Sequence, residues 1–383
     1  MRVKKTICTA AILMAAACLS AQNKSAGINL SLWKDISTQP VDSTQTSYLN
    51  LGVLTNMTRL NGIGMNILGS VVRTDVKGVQ VSGIANIVSD NVEGFQFSGI
   101  TNINGNKMTG VSASGLVNIT GQDVVGVVLS GLINIGGDRV SGLAVSGGIN
   151  ISGERAYGIQ LSGLANITGG NMKGLMASGF LNVNGESVNG VQIAGIGNIA
   201  GNAMNGVQIG LCNYATKAHG LQIGILNYYK EEMKGFQIGL VNANPDTKIQ
   251  MMLYGGNTAI ANIGVRFKNR LFYTIIGLGA QRRHLNDKFS ATASYRAGLS
   301  LPLYKKLSVS SDLGYEHIEA FKNKDELIPR RLYALQARVS LEYQLTKRIG
   351  IFGTGGYGFT RYYNRSGNYD KRAITEGGII FSL

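Results

Sequence analysis

Hydrophobic and polar residues alternate along most of this chain, and between residues 78 and 245 the alternation belongs to a repeat. Glycine returns every 16 residues through most of this stretch, and each copy reads close to GVQVSGIANI at 78–87. Val79, Val81 and Ile87 alternate there with polar or small residues, a period of two that is typical of β-strands. Charged residues follow the Asn-Ile pair, beside further glycines, which predicts a solvent-facing corner. A short fixed period predicts one structural unit stacked on copies of itself.

An asparagine lies at the same offset in every copy, and shorter copies continue the series: Asn86, Asn102, Asn118, Asn134, Asn150, Asn166, Asn182, Asn198, Asn213, Asn227 and Asn242. We expect these residues to form a structural ladder, because side-chain amides at equivalent positions of stacked coils can hydrogen-bond to one another. An antiparallel sheet would repeat every 32 residues, and the sequence has no such period. The pattern therefore predicts an all-β protein with a parallel β-solenoid of 16-residue coils. The alternative is one large antiparallel barrel of about 22 strands, with each copy forming one strand.

The two faces of the repeat strands differ in polarity. We expect about four or five Val, Ile, Leu or Met side chains of each coil to be buried. Cys212 occupies a position held elsewhere by Ala, Val or Ile, and is expected to be a small core residue. The glutamines of the other face are expected on a hydrated outer surface, where they could also touch glycan hydroxyl groups: Gln80, Gln96, Gln160, Gln192, Gln208, Gln222 and Gln237.

From about residue 246 the strands become longer and keep apolar residues on one face, as in Leu335, Val339 and Leu341 against Gln336 and Arg338. Such strands suit a lipid-facing barrel wall, and their connections alternate between short and long, as in bacterial outer-membrane barrels. An eight-stranded barrel is filled by side chains, so it would anchor the protein and not conduct. The alternative is a soluble eight-stranded barrel or sandwich that closes the solenoid. Eight strands are predicted near 248–256, 258–267, 270–280, 289–301, 307–319, 332–345, 348–363 and 371–383.

Charge divides the chain at the same place. Residues 78–245 hold 7 Lys and Arg against 8 Asp and Glu, whereas residues 246–383 hold 21 against 10. Cations in the long connections could meet the phosphates of an anionic outer leaflet, or could simply be solvated. Outer-membrane lipid, including anionic lipopolysaccharide, is thus one candidate partner, and any glycan or other surface partner stays unidentified. These cations are Arg282, Arg283, Lys322, Lys324, Arg330, Arg331, Arg361, Arg365, Lys371 and Arg372.

The first residues have the pattern of a secretory signal. Basic residues precede an apolar run, 7–19, and small residues end at Ala21. An alternative makes Cys18 a lipidated cysteine. The predicted domains are a signal peptide, 1–21; degenerate repeats that cap the stack, 22–77; the β-repeat domain, 78–245; and the barrel, 246–383.

No residue pattern points to catalysis or to a bound cofactor. His219, His284 and His317 lie in different contexts without metal-ligand spacing. We find no nucleophile–base arrangement, phosphate loop or nucleic-acid stripe, and therefore predict no enzyme activity, cofactor, metal or nucleic-acid partner. A glycan-binding or glycan-active β-helix is an alternative motivated by the fold alone.

The segments GVQIGLCN, GLQIGILN and GFQIGLVN, followed by the strand YTIIGLG at 273–279, resemble bacterial surface-repeat proteins built on Gly-Leu-Gln-Ile-Gly units. Such proteins occur in spirochaetes and in Bacteroides-like organisms. The resemblance covers roughly 60–280 and implies a surface location without a named activity. Together with the barrel pattern, it leads us to expect an outer-membrane or cell-surface protein with a structural or adhesive role. A porin-like channel is the alternative.

Overall fold

The computed structural model describes residues 27–34, 36–39, 45–282, 289–321, 331–363 and 368–383. Of the described residues, 79% lie in strands and none lies in a helix, so this part of the chain is all-β, as predicted. No helix in these ranges has the length and hydropathy needed to cross a membrane. The predicted signal peptide and Cys18 lie outside the described residues. The described chain forms two compact units, one of residues 27–222 with 233–235 and one of residues 223–232 with 236–383.

The repeats form a parallel β-solenoid of about 12 turns. A typical coil contains one strand of seven or eight residues and one of four, joined by two corners. The strands are β1 Ile28–Trp33, β2 Ile36–Ser37, β3 Thr46–Met57, β4 Arg59–Val72, β5 Val76–Ser82, β6 Ala85–Val88, β7 Val92–Ser98, β8 Thr101–Asn104, β9 Met108–Ser114, β10 Val117–Thr120, β11 Val124–Ser130, β12 Ile133–Gly136, β13 Arg139–Ser146, β14 Ile149–Ser152, β15 Arg155–Ser162, β16 Ala165–Thr168, β17 Asn171–Ser178, β18 Leu181–Asn184, β19 Val188–Ala194, β20 Gly197–Ile209, β21 Cys212–Ile223, β22 Leu226–Ile238 and β23 Val241–Ala243.

Equivalent residues of successive coils pair directly. Strand β9 pairs with β11 in parallel, with Gly110 opposite Gly126, and β10 pairs with β12, with Asn118 opposite Asn134. This register confirms the parallel solenoid predicted from the 16-residue period. The alternative of one antiparallel barrel of about 22 strands is wrong, because neighbouring copies run in the same direction.

The segment before residue 78 continues the stack. Strand β3 pairs in parallel with β1 and β4, and β4 pairs in parallel with β5 and β6. The other edge of β1 is covered by the two-residue antiparallel strand β2. A short antiparallel strand at this edge limits further strand pairing, since an open edge is a template for another chain.

The polarity of the coil is the reverse of the prediction. Gln80, Ser82 and Asn86 are buried, whereas Ile84 and Ile87 are exposed. The glutamines expected on a hydrated surface are therefore inside: Gln80, Gln96, Gln160, Gln192, Gln208 and Gln222 are at most 3% exposed, and Gln237 is half-buried. The apolar residues that remain inside form mainly one column, next to the charged corner: Val76, Val92, Met108, Val124, Val140, Ala156, Met172, Val188 and Met204.

Cys212 is exposed, and not the core residue that was expected. Its position in the repeat points outward, like that of most Ile and Leu side chains of the coil. Alternation with a period of two places two sets of side chains on opposite faces, but it does not say which face is inside. The prediction assumed water outside the coil, and that assumption selected the wrong face.

The leading glycines are required by the close approach of successive coils. Gly126 has a φ of +128°, and a Cβ atom there would lie 2.1 Å from the carbonyl oxygen of Gly110 in the coil before. A side chain at this position is excluded both by φ, which L-residues rarely adopt, and by space. The same geometry recurs at each leading glycine, which explains the fixed period of the motif.

The second unit contains a closed antiparallel barrel, as predicted. Each strand pairs with the next, and β24 closes the barrel against β31. The strand ends differ from the predicted ones by at most three residues, within the ordinary uncertainty of strand boundaries. The barrel strands are β24 Lys248–Gly256, β25 Ala261–Asn269, β26 Phe272–Arg282, β27 Phe289–Tyr304, β28 Leu307–Ala320, β29 Arg331–Gln344, β30 Ile349–Tyr362 and β31 Asn368–Ser382.

Candidate functional site

The structure brings the predicted asparagines together in a buried ladder. From Asn86 to Asn213, each Nδ2 donates to the Oδ1 of the next asparagine at 2.9–3.0 Å. In the second unit, Asn227 Nδ2 donates to Asn242 Oδ1 at 2.8 Å. Eight hydrogen bonds therefore link nine successive amides in one direction along the first unit.

The second hydrogen of each amide also has a partner. Asn134 Nδ2 donates to the carbonyl oxygen of Val145 at 2.7 Å, and Asn150 Nδ2 donates in the same way to Leu161. These carbonyl groups end the longer strand of the next coil, where the chain turns into the glycine corner. Asparagine suits this place because its side chain supplies two donors and one acceptor within a short reach. The ladder is thus part of the structural core.

A second set of buried amides lies beside the ladder. Gln208 Nε2 donates to Gln192 Oε1 at 2.8 Å, and Gln222 donates to Gln208 at the same distance. Asn29, Asn50 and Asn66 add a separate amide row in the N-terminal coils, with Nδ2 to Oδ1 distances of 3.0 and 2.9 Å. Because the buried glutamines bond within the stack, they do not offer a stripe for glycan hydroxyl groups.

The barrel interior holds a network of ion pairs. Arg266 donates two hydrogen bonds to Glu342, at 2.6 and 3.0 Å. Arg296 donates to both carboxylate oxygens of Asp312, at 2.8 and 2.7 Å, and its other amino group lies 3.7 Å from Glu376. All these side chains are nearly completely buried. Bidentate pairs of this kind are the strongest charge-assisted contacts and lock the side chains in place.

Aromatic side chains line the network. The guanidinium group of Arg266 lies 5.3 Å from the ring centre of Tyr273, and that of Arg296 lies 5.8 Å from the ring centre of Tyr254. Tyr273 also donates to Asp312 at 2.8 Å. Charged groups and rings therefore fill the middle of the barrel, as expected for eight strands.

The outer wall of the barrel is apolar and bordered by aromatic residues. On β29, the outward side chains between Tyr333 and Tyr343 are Leu335, Ala337, Val339 and Leu341. The two tyrosines are ten residues apart. At about 3.3 Å per residue and a tilt of about 40°, they are about 25 Å apart along the barrel axis. This is the height of the apolar band of an outer-membrane barrel, about 25 Å.

Other strands repeat the two aromatic borders. Tyr315, Phe359 and Tyr363 lie towards the long connections, and Phe272 and Tyr304 lie beside the short ones. Tyr363 contacts the hydroxyl of Tyr315 and the Nδ1 atom of His317, the latter at 2.8 Å. An amphipathic ring at this level is typical of a membrane interface.

The cations predicted to meet anionic lipid are only partly described. Arg331 pairs with Glu319 at 3.0 Å, and Arg372 lies 3.5 Å from Asp370. Arg361 and Lys371 are exposed at the same end of the barrel. Arg283, Lys322, Lys324, Arg330 and Arg365 lie outside the described residues, as does the side chain of Arg282.

The last coil of the stack, residues 236–243, belongs to the second unit and lies against the outside of the barrel wall. Tyr295 donates to the carbonyl oxygen of Gly239 at 2.7 Å, and Thr274 to that of Leu240 at 3.0 Å. Both residues are outward-facing on their strands. Phe236 meets Phe272 edge to face, with the ring centres 6.1 Å apart. The last coil has no following coil to accept or donate hydrogen bonds, and barrel side chains bond to its carbonyl groups instead.

Within the described ranges, no group of three or more His, Cys, Asp or Glu side chains could hold a metal ion. His219 contacts Asn205 at 3.1 Å and His317 contacts Tyr363, so the two lie in separate environments, while His284 is outside the described residues.

Sequence reasoning missed two features. The first is the pairing inside the barrel, although Arg296, Arg338 and Glu342 stand on the polar faces of the predicted strands. The second is the apolar exterior of the coils. A signal for it was present, because all ten charged residues between 78 and 213 fall at one corner: Asp90, Glu93, Lys107, Asp123, Asp138, Arg139, Glu154, Arg155, Lys173 and Glu186.

No family model matches the chain, and no curated protein matches it. Among solved structures, the chain is similar to the N-terminal β-barrel domain of Pseudomonas aeruginosa OprF, at 10% identity and a TM-score of 0.27, over 36% of this chain and 96% of that one. It is also similar to Neisserial surface protein A, at 6% identity and a TM-score of 0.26, over 36% and 96%.

A third similar structure is Ail, the attachment invasion locus protein of Yersinia pestis, at 14% identity and a TM-score of 0.22, over 36% of this chain and 93% of that one. With identities below 25% and TM-scores below 0.5, these likenesses support no conclusion about what this chain does.

Proposed function

We propose that this chain is an outer-membrane protein whose barrel anchors a stacked β-repeat domain, with a structural or adhesive role and no catalytic activity. The barrel wall is the observation that supports the proposal. Its outward residues are apolar over a height of about 25 Å and end in aromatic borders, as lipid-facing walls do. Leu313 and Val339, in the middle of the wall, are 72% and 56% exposed. Such side chains would be unfavourable in water.

The barrel interior favours the role of a membrane anchor and argues against the role of a channel. Ion pairs between Arg266 and Glu342 and between Arg296 and Asp312 occupy the barrel lumen. Their removal from water is tolerable because each charge is paired and hydrogen-bonded. A lumen filled in this way leaves no wide aqueous path.

The repeat domain supports a structural or adhesive role through its regularity. Its buried asparagines bond to one another from coil to coil, and its charges lie at one corner, partly in pairs such as Arg139 with Asp123 at 2.8 Å. Arg361 and Lys371 are exposed at the end of the barrel that carries the long connections, where they would contact anionic headgroup phosphates. Lipopolysaccharide is accordingly one proposed partner.

Two measurements test the proposal. The protein should sediment with outer membranes in a density gradient and stay there after a carbonate wash, which releases peripheral proteins. In planar bilayers, the purified protein should give no large open channel. Release by carbonate would contradict the anchor, and a stable large conductance would favour the porin-like alternative.

A further inference from the structure

Residues 78–213 present a broad apolar surface on the outside of the solenoid. Its centre is a column of side chains at the glycine corner, each 43–49% exposed: Ile84, Ile100, Leu116, Leu132, Leu164, Phe180, Ile196 and Leu211. We call this column and its outward neighbours on both strands of each coil the apolar flank. The neighbours include Phe97, Leu129, Ile167 and Ile193.

The apolar flank is larger than the apolar patches of soluble monomers. The column from Ile84 to Leu211 crosses eight coil spacings of about 4.8 Å, or about 38 Å. Around the corner, the flank follows about eight residues of extended chain, or roughly 26 Å. Its area is thus roughly 1,000 Å², whereas the largest patch on a typical monomer is about 300–600 Å².

The opposite corner of the coil is charged. Asp138, Arg139 and Glu154 lie there, together with every other charged residue of the first unit between 78 and 213. The cross-section of the solenoid is therefore amphipathic, with one apolar side and one charged corner. Its interior is polar on the apolar side, where the asparagine ladder and the buried glutamines lie, and the amides of the ladder are bonded to one another. Polar groups bonded inside and apolar side chains outside are the arrangement that a protein needs in lipid.

The last coil indicates which occupant covers the flank. Residues 236–243 lie on the outer wall of the barrel, held by Tyr295 and Thr274. If that wall faces lipid, as the proposed function requires, residues 236–243 cover a part of the wall that lipid would otherwise contact. Its own Phe236, Ile238 and Leu240 then border the same lipid, and they are 62%, 56% and 41% exposed. Leu240 occupies the same position of the repeat sequence as the residues of the glycine-corner column.

We propose that the apolar flank of the solenoid contacts the acyl chains of the membrane that holds the barrel, while its charged corner stays in water. This proposal rests on the proposed function for the barrel. It makes the repeat domain a membrane-associated surface, comparable in its polarity to an amphipathic helix that lies in the interface.

Fluorescence quenching by brominated lipid tests the proposal. Cys212 is exposed and belongs to the apolar flank, so it can carry a bimane label in the full chain with Cys8→Ser and Cys18→Ser. The charged corner is probed by Asp138→Cys and the barrel wall by Leu341→Cys, each with Cys212→Ser added. Vesicles contain phosphatidylcholine with or without bromine on the acyl chains.

The label on Cys212 should lose about half or more of its fluorescence in brominated vesicles, as the label at 341 does, because interfacial apolar faces lie about 5–10 Å into the acyl boundary. The label at 138 should change little. Quenching at 341 without quenching at 212 would overturn the lipid-facing flank and leave the anchor standing. No quenching at 341 would overturn the anchor itself. Cross-linking of Cys212 to Cys212 of another copy, without quenching, would assign the flank to a second copy and refute the proposal.

Discussion

Replacing one rung of the asparagine ladder should destabilise the stack far more than replacing an exposed asparagine. Asn134 is 3% exposed and has three close partners. It accepts from Asn118 at 2.9 Å and donates to Asn150 at 2.9 Å and to the Val145 carbonyl at 2.7 Å. In Asn134→Leu the side chain keeps a similar size but loses all three bonds.

The expected magnitude follows from the groups left unpaired. One amide hydrogen of Asn118, the Oδ1 of Asn150 and the carbonyl oxygen of Val145 would each lose a partner. An unsatisfied buried polar group costs about 1–3 kcal/mol. Three such groups give roughly 3–6 kcal/mol, allowing for partial re-pairing of the two neighbouring amides.

The matched control is Asn189→Leu. Asn189 accepts from Asn205 at 2.9 Å, across the same 16-residue step, but this pair is exposed. Water replaces the lost bond there, so the loss should stay within about 0.5 kcal/mol. Chemical denaturation of the full chain in detergent, followed by circular dichroism and by amide hydrogen exchange of residues 117–151, measures both variants. Equal losses of unfolding free energy in the two variants would refute the reasoning, because burial would then not determine how much an asparagine–asparagine hydrogen bond stabilises the stack.

Three further predictions concern other parts of the molecule. Val339→Arg, at the middle of the barrel wall, should lower the stability of the vesicle-inserted protein by about 2–4 kcal/mol. The control Leu345→Arg lies beyond the aromatic border and should lower it by at most about 1 kcal/mol. Equal losses of stability in the two variants would argue against a lipid-facing wall. Gly126→Ala should cost about 1–3 kcal/mol or more, because φ is +128° and the new Cβ would meet a backbone oxygen at 2.1 Å. Gly197→Ala, where the nearest atoms are 3.3 and 3.4 Å away, should be tolerated, and a matching loss in thermal scans would contradict the close-approach argument. Glu342→Gln leaves the buried guanidinium group of Arg266 without its carboxylate partner, and should lower the free energy of unfolding of the barrel in urea by about 3–5 kcal/mol. An unchanged urea midpoint would contradict this expectation.

The sequence predicts the architecture well because architecture depends on period. The fixed spacing from Gly78 onwards, with Asn86 and its equivalents at one offset, requires equivalent residues to lie side by side. In the barrel, alternation through residues such as Leu335 and Leu341 fixes the strand length and places the apolar residues together on one face. These patterns are local and need no knowledge of the surroundings.

The interior of the coil could not be predicted in the same way. Gln80 and Ile84 are compatible with either side of a strand, and only the medium around the coil decides which is buried. The prediction assumed water, whereas the structure places amides inside, where stacked partners satisfy them. The position of residues 236–243 on the barrel wall depends on contacts such as Tyr295 with Gly239, which join residues distant in sequence and follow from no repeat.

The central claim is that successive coils stack in parallel and in register. Cysteines at Ile119 and Ile135, which pair directly on neighbouring coils, should be joined by a short bifunctional thiol reagent, because the strands are about 4.8 Å apart. Cysteines at Ile119 and Ile151, two coils apart at about 9.6 Å, should not be joined by the same reagent. Full labelling of both thiols without a link between 119 and 135 would contradict the stack.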